Sequence, residues 1–220
     1  MISGKRKACR SRIALLLILL LSTSVTAQVA PELDALIAAL AEPVPAETAF
    51  FERRESNLLA EPLLLKGALR RPAADVLIKQ IDGPPSETMQ IAADRVRVER
   101  EGQATRNFSL RRAPELAVLA ASFDALLAGD QQRLAQHYQI HLTGPSEAWQ
   151  IELLPRQARL AKRVRALRLQ GSGSDWHCFD LELSNGEASR MWLGEVAAAA
   201  ARAESEPARD ALCQAHPAAQ

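Results

Sequence analysis

From Thr48 to Arg112, and again from Tyr138 to Leu193, apolar and polar residues alternate with a period of two. That period belongs to β-strands with one buried and one wet face. The breaks between runs are short, at Ala60–Pro62, Ala93–Asp94, Glu101–Gly102 and Asn185–Gly186. A parallel crossover needs roughly a dozen residues or more, so neighbouring runs must pair antiparallel. In "RVRVER", Val96 and Val98 alternate with Arg95, Arg97 and Glu99, the mark of a half-exposed strand. Asn185–Gly186 is a hairpin signal, because both residues tolerate positive φ.

Helical spacing appears in three places. "PELDALIAALA" puts Leu33, Leu36, Ile37 and Leu40 on one side, and Pro43 and Pro45 end it. "APELAVLAASFDALLAGD" does the same with Leu116, Leu119, Ala120, Phe123, Leu126 and Leu127, with Pro114 suited to its start and Gly129 to its end. A short piece, "QQRLAQHY", follows. Strand runs with segregated helices predict an α+β fold rather than βαβ units. The economical arrangement is a curved antiparallel sheet with helices covering the concave face and a charged, wet outer face. Hydrophobic residues make up 48% of the 220 residues, enough for one such domain.

The N-terminus sets the compartment. A basic stretch, "MISGKRKACRSR", precedes the apolar run Ile13–Leu21, and small residues at Val25 and Ala27 offer a cleavage site. The run is too short to span a bilayer, so residues 1–27 read as a signal peptide rather than an anchor. Residues 28–195 then form the domain, and 196–220 an Ala-rich, partly helical tail interrupted by Pro207. Cleavage removes Cys9 and leaves Cys178 and Cys213. These are either a disulfide or two separate buried thiols, and an oxidising compartment favours the bridge. A bridge would tie the C-terminal segment to the body and contribute about 3 to 4 kcal/mol.

The usual chemistry is missing. A net charge of +1 gives no basic face for nucleic acid. No phosphate-binding loop, dinucleotide fingerprint or Cys-x-x-Cys pair occurs, and "GSGSD" from Gly171 is a turn, not a nucleophile elbow. His137 and His141 are spaced i, i+4, but no third ligand accompanies them, so no metal site is read there. Asp94, Glu99 and Glu101 sit among arginines, as on a solvated face.

One segment carries a resemblance. In "FFERRESNLLAEPLLLKGALRRPAADVLIKQIDGPPSETMQIAADRVRV" a strand begins at Phe50 and the next ends in Arg70, Arg71 and Pro72. "RNFSLRRAPEL", "LLAGD" and "WQIELLPRQARLAKRVRALRLQGSG" follow in order. This arrangement resembles the LolA superfamily of periplasmic lipoprotein carriers, in a divergent LolA-related branch, over roughly Leu33 to Leu193.

The resemblance implies a strongly curved antiparallel sheet, an unclosed half-barrel with helices as a lid over its concave face, in a soluble, monomeric periplasmic carrier. It would bind acyl chains of a lipoprotein or another acylated lipid in an apolar cavity. It would receive them from an inner-membrane exporter and pass them to an outer-membrane acceptor, without cofactor or bond chemistry. It also implies a role for Arg71, the arginine directly before Pro72, as a latch between the second strand and the lid helices. The expected cavity lining is Phe50, Leu63, Leu65, Leu69, Val76, Ile78, Ile91, Leu116, Leu119, Phe123, Leu127, Trp149, Ile151, Leu167 and Leu169. The alternatives are a filled-core periplasmic interaction module and an enzyme acting on a lipid.

Overall fold

The structure is a computed structural model that describes residues 32–213. The expected signal peptide and its expected cleavage site, and the end of the tail, lie outside the described residues. Helix α1 (Leu33–Ala39) leads into strands β1 (Ala46–Glu55), β2 (Leu63–Ala73), β3 (Val76–Ile81), β4 (Glu87–Ala92), β5 (Arg95–Arg100) and β6 (Arg106–Ser109). A 3-10 turn (Leu110–Arg112) precedes helices α2 (Pro114–Leu127) and α3 (Gln131–His137). Strands β7 (Tyr138–Thr143) and β8 (Trp149–Pro155), helix α4 (Ala158–Ala161), and strands β9 (Val164–Ser172), β10 (Asp175–Leu183) and β11 (Ala188–Leu193) come next. Helices α5 (Glu195–Arg202) and α6 (Glu206–Ala211) close the described chain.

All eleven strands form one antiparallel sheet in the order β6-β5-β4-β3-β2-β1-β11-β10-β9-β8-β7. The first and last strands in that order do not pair, so the sheet is not closed. It must nevertheless curl. On α2, Leu116 packs with the Ile91–Val96 cluster of β4 and β5, while the Phe123 ring lies 4.7 Å from that of Phe179 on β10. Seven residues along a helix cover about 10 Å. The strands they touch are five steps apart in the sheet order, about 24 Å if the sheet were flat. One helix reaches both only if the sheet wraps around it.

The concave face is unevenly filled. Helices α1 and α3 pack Leu36, Ile37, Leu40 and Leu134 against Tyr138, Trp149, Ile151, Leu153, Leu167 and Leu169 of β7–β9. Gly129, at φ 68°, ends α2 where a Cβ would lie 3.1 Å from the Ala38 Cα of α1, so a side chain would push the helices apart. Asp130 then caps α3, its carboxylate accepting from the Arg133 backbone N–H at 3.0 Å.

The outer face differs in part from expectation. Over β8–β10 it is charged, with Arg168 bridging Glu152 at 2.9 Å and Glu182 at 2.8 Å. Over β1, β10 and β11 it is covered. Alternation sends Phe51, Cys178 and Trp192 outward, where they pack with Val196, Ala197 and Ala200 of α5 and with Cys213. Cys178 and Cys213 are joined in a disulfide, with Cα atoms 5.4 Å apart. Pro207 does not break a tail helix in the middle. It lies in the first turn of α6, where its missing N–H is harmless, and Ser205 caps that helix. Arg190 holds Asp180 at 2.7 Å and Asp210 at 2.6 Å, binding α6 to the sheet.

Candidate functional site

Under α2 the concave face is hollow. A cavity of about 350 Å³ runs along β1, walled by Leu69, Leu77, Met89 and Ile91 on one side and Phe179, Leu181, Leu183, Met191 and Leu193 on the other. Leu116, Leu119, Phe123 and Leu127 of α2 roof it. Leu69, Leu77, Met89, Leu119, Phe123, Leu181 and Leu183 are only half-buried. A filled core would cover such side chains almost completely. Here they face space instead, and Trp176 closes one side against Phe123.

Arg71 spans one end of this space. The residue is 8% exposed, and its guanidinium donates to the Glu42 carbonyl at 3.1 Å and to Asp124 Oδ1 at 3.1 Å. Glu42 follows α1, and Asp124 lies in α2. The Glu42 backbone N–H in turn donates to the Leu127 carbonyl at 3.0 Å. One planar fork thus joins β2 to both helical segments over the concave face. Asp124 is also held by Arg133 of α3 at 2.9 Å. Arg70 points the other way, to Glu47 at 3.1 Å and Gln80 at 2.7 Å.

The expected lining residues divide into groups. Leu69, Ile91, Leu116, Leu119, Phe123 and Leu127 face the cavity. Phe50, Trp149, Ile151, Leu167 and Leu169 share its face of the sheet but belong to the packed half. Leu65 is half-buried against that core, whereas Leu63 is 41% exposed near the β1–β2 loop. Val76 lines a smaller hollow of about 200 Å³ beside Arg71 and Leu110. Ile78 lies on the other face, because β3 pairs Lys79 with Leu69 and Ile78 with Arg70. Leu77, not Ile78, therefore points inward.

Sequence reasoning missed Leu77, Met89, Trp176, Phe179, Leu181, Leu183 and Met191. It also missed two charges on the concave wall. Glu52 is 2% exposed and takes a hydrogen bond from Lys79. It also accepts from Arg54 Nε at 3.1 Å and Nη2 at 3.0 Å. Burial pushes the Glu52 carboxyl up, but Lys79 and Arg54 outweigh it and hold it below its ordinary value. Burial pulls the Lys79 ammonium down, and the Glu52 carboxylate offsets only part of that. A signal existed in "VLIKQI", where Lys79 shares the phase of Leu77 and Ile81.

His137 ends α3 near Gln157, and His141 is exposed on β7. Among the described residues no group of three His, Cys, Asp or Glu is placed to hold a metal. No helix of these residues is long and apolar enough to cross a membrane.

The sequence matches the family described as outer membrane lipoprotein carrier protein LolA-like over residues 25–216. The chain belongs to the LolA-like family. Among solved structures it is similar to a LolA superfamily protein from Nitrosomonas europaea, with 10% identity, a TM-score of 0.40, and 73% of this chain and 89% of that one covered. It is also similar to a putative outer membrane lipoprotein-sorting protein domain from Vibrio parahaemolyticus, with 10% identity, a TM-score of 0.38, and 72% and 87% covered. None of the curated proteins compared matches the chain. Within the LolA-like frame, the open sheet, the roofing helix and the Arg71 bridge form one unit around the cavity.

Proposed function

We propose that this protein is a non-enzymatic carrier that holds acyl chains in the cavity beneath α2. The observation that supports this most is a cavity of about 350 Å³ whose apolar walls stay half-exposed. Cavities from roughly 300 Å³ upward are the usual size for small-ligand sites. Each methylene buried there contributes about 0.8 kcal/mol, with no directional chemistry required. The family match supports the same class of ligand, the acyl chains of a lipoprotein or a similar lipid.

In this reading Arg71 is the latch of the empty state. Its bonds to Glu42 and Asp124 hold α1 and α2 over the sheet. An entering chain lifts α2, and those bonds exchange for water. Residues 1–27 direct export to the periplasm and are removed, and 28–195 form the carrier domain. The C-terminal segment then braces its outer face through the disulfide. The protein works as a monomer without cofactor, receiving its cargo from an inner-membrane exporter and passing it to an outer-membrane acceptor.

Uptake of a fluorescent acyl probe tests this, together with Leu119→Asp. A cavity wall tolerates the charge in folding but loses the probe. If the protein instead acts as an interaction module with a packed core, no probe binds and Leu119→Asp unfolds it, because a buried unpaired charge is costly.

A further inference from the structure

The cavity wall carries a charged cluster on its sheet side, with Glu52 buried, Lys79 nearly so and Arg54 partly exposed. Glu52, Arg54 and Lys79 all face the cavity. Lys79 lies on β3 and Glu52 on β1, with β2 between them. The β2 residue on that path is Gly67, paired with Phe50 on one side and Ile81 on the other. Having no side chain, it leaves Lys79 room to cross β2, with its Nζ 4.8 Å from the Phe50 ring centroid.

Two cations share the Glu52 carboxylate. Of the neighbouring carboxylates, Glu87 pairs with Arg100 at 3.1 Å and Glu55 with Arg53 at 2.6 Å, while Glu187 accepts from the neutral Ser56 hydroxyl at 2.8 Å. Among the described residues, Lys79 donates only to Glu52, and Arg54 commits Nε and Nη2 to the same carboxylate. Two ammonium protons and Nη1 of Arg54 remain for another acceptor. The Lys79 side chain is 14% exposed, so its unused ammonium protons have little water to turn to and an incoming anion can take them, while the Arg54 side chain, 39% exposed, is partly solvated. At the other end, the Arg71 guanidinium is occupied by Glu42 and Asp124 in the empty state.

We propose that Lys79 and Arg54 form a head-group site for an anionic acyl ligand. The head, a carboxylate or a phosphate, sits against the ammonium and Nη1, and the chain runs along β1 beneath Leu119 and Phe123. The cavity then selects ionised amphiphiles over neutral chains of equal length. This rests on the acyl-carrier reading above and adds the class of head group.

The test compares hexadecanoate, hexadecyl phosphate and hexadecanol by displacement of a fluorescent acyl probe from the purified protein. At least one of the two anions is expected to bind about tenfold or more tightly than the alcohol, the worth of a charged hydrogen bond. The tighter anion identifies the head group. Lys79→Met should reduce the preference for the anions over hexadecanol. Because that change strands Glu52, the uncharged triple Glu52→Gln, Arg54→Gln and Lys79→Met is measured beside it, with circular dichroism to verify folding. Equal binding of anions and alcohol by the unmodified protein overturns the head-group site and leaves the carrier reading standing. Preference surviving in the folded triple variant also overturns it. Binding of none of the three removes the carrier reading and this site together.

Discussion

Arg71 reaches across 3.1 Å from β2 to the Asp124 carboxylate of α2, and the same guanidinium holds the Glu42 carbonyl after α1. Sheet and roof are therefore joined by one side chain. Arg71→Leu removes both bonds but leaves Asp124 paired with Arg133. The expected loss is about 1 to 2 kcal/mol of stability, the scale of hydrogen bonds to charged groups. Amide exchange in Leu116–Leu127 should accelerate more than in β8 and β9. Uniform acceleration throughout the sheet would mean that Arg71 is not a latch.

Gly67 is expected to resist substitution. A Cβ there would lie 1.9 Å from the Gln80 carbonyl oxygen of β3, a backbone atom that cannot swing aside. Gly67→Ala must shift the β2–β3 pairing and should cost about 2 kcal/mol or more, as overpacked sites do. Urea denaturation measures it. A change within experimental error would show that β3 is not held so close.

The Cys178–Cys213 disulfide closes a segment 35 residues apart in sequence. Replacing both with Ala should lower stability by about 3 to 4 kcal/mol in the chain-entropy account. The cavity lies on the other face of the sheet, so acyl-probe affinity at temperatures below unfolding should not change. Loss of affinity in the folded variant would tie the back of the sheet to the site.

The sequence made the faces of the strands legible better than their contents. Period-two alternation placed Leu69 and Ile91 inward, and helical spacing placed Leu119 and Phe123 over them. It could not separate Ile151 and Leu169, covered by α1 and α3, from Leu181 and Leu183, which face space. That difference depends on where the helices land, a long-range outcome. The phase of β3 was misjudged because Val76 and Ile78 look as apolar as Leu77, and the charge of Lys79 disguised an inward position. On β10 a register shift between Trp176 and Cys178 breaks simple alternation, so Trp176 could not be placed by counting. The role of Arg71 came from the family resemblance, because an arginine at a strand end reads equally as a solvated rim charge.

Glu52 links the cavity to pH. Its carboxyl lies below the ordinary value of 4.5 when folded, because Lys79 and Arg54 outweigh burial. Its contribution is fully present above about 4.5 and is lost as pH falls through the lower folded value. Glu52→Gln should cost about 3 kcal/mol at neutral pH, since Lys79 loses its partner. The gap between variant and parent should narrow on acidification, read from urea midpoints across the acid range. A constant gap would assign Glu52 no linked proton.

The most direct test of the carrier account is native mass spectrometry of the protein purified from the cells that make it, with organic extraction of anything bound. The account predicts a stoichiometric adduct bearing an acyl chain. A clean apo mass, with no uptake of a fluorescent acyl probe by the folded protein, would contradict it.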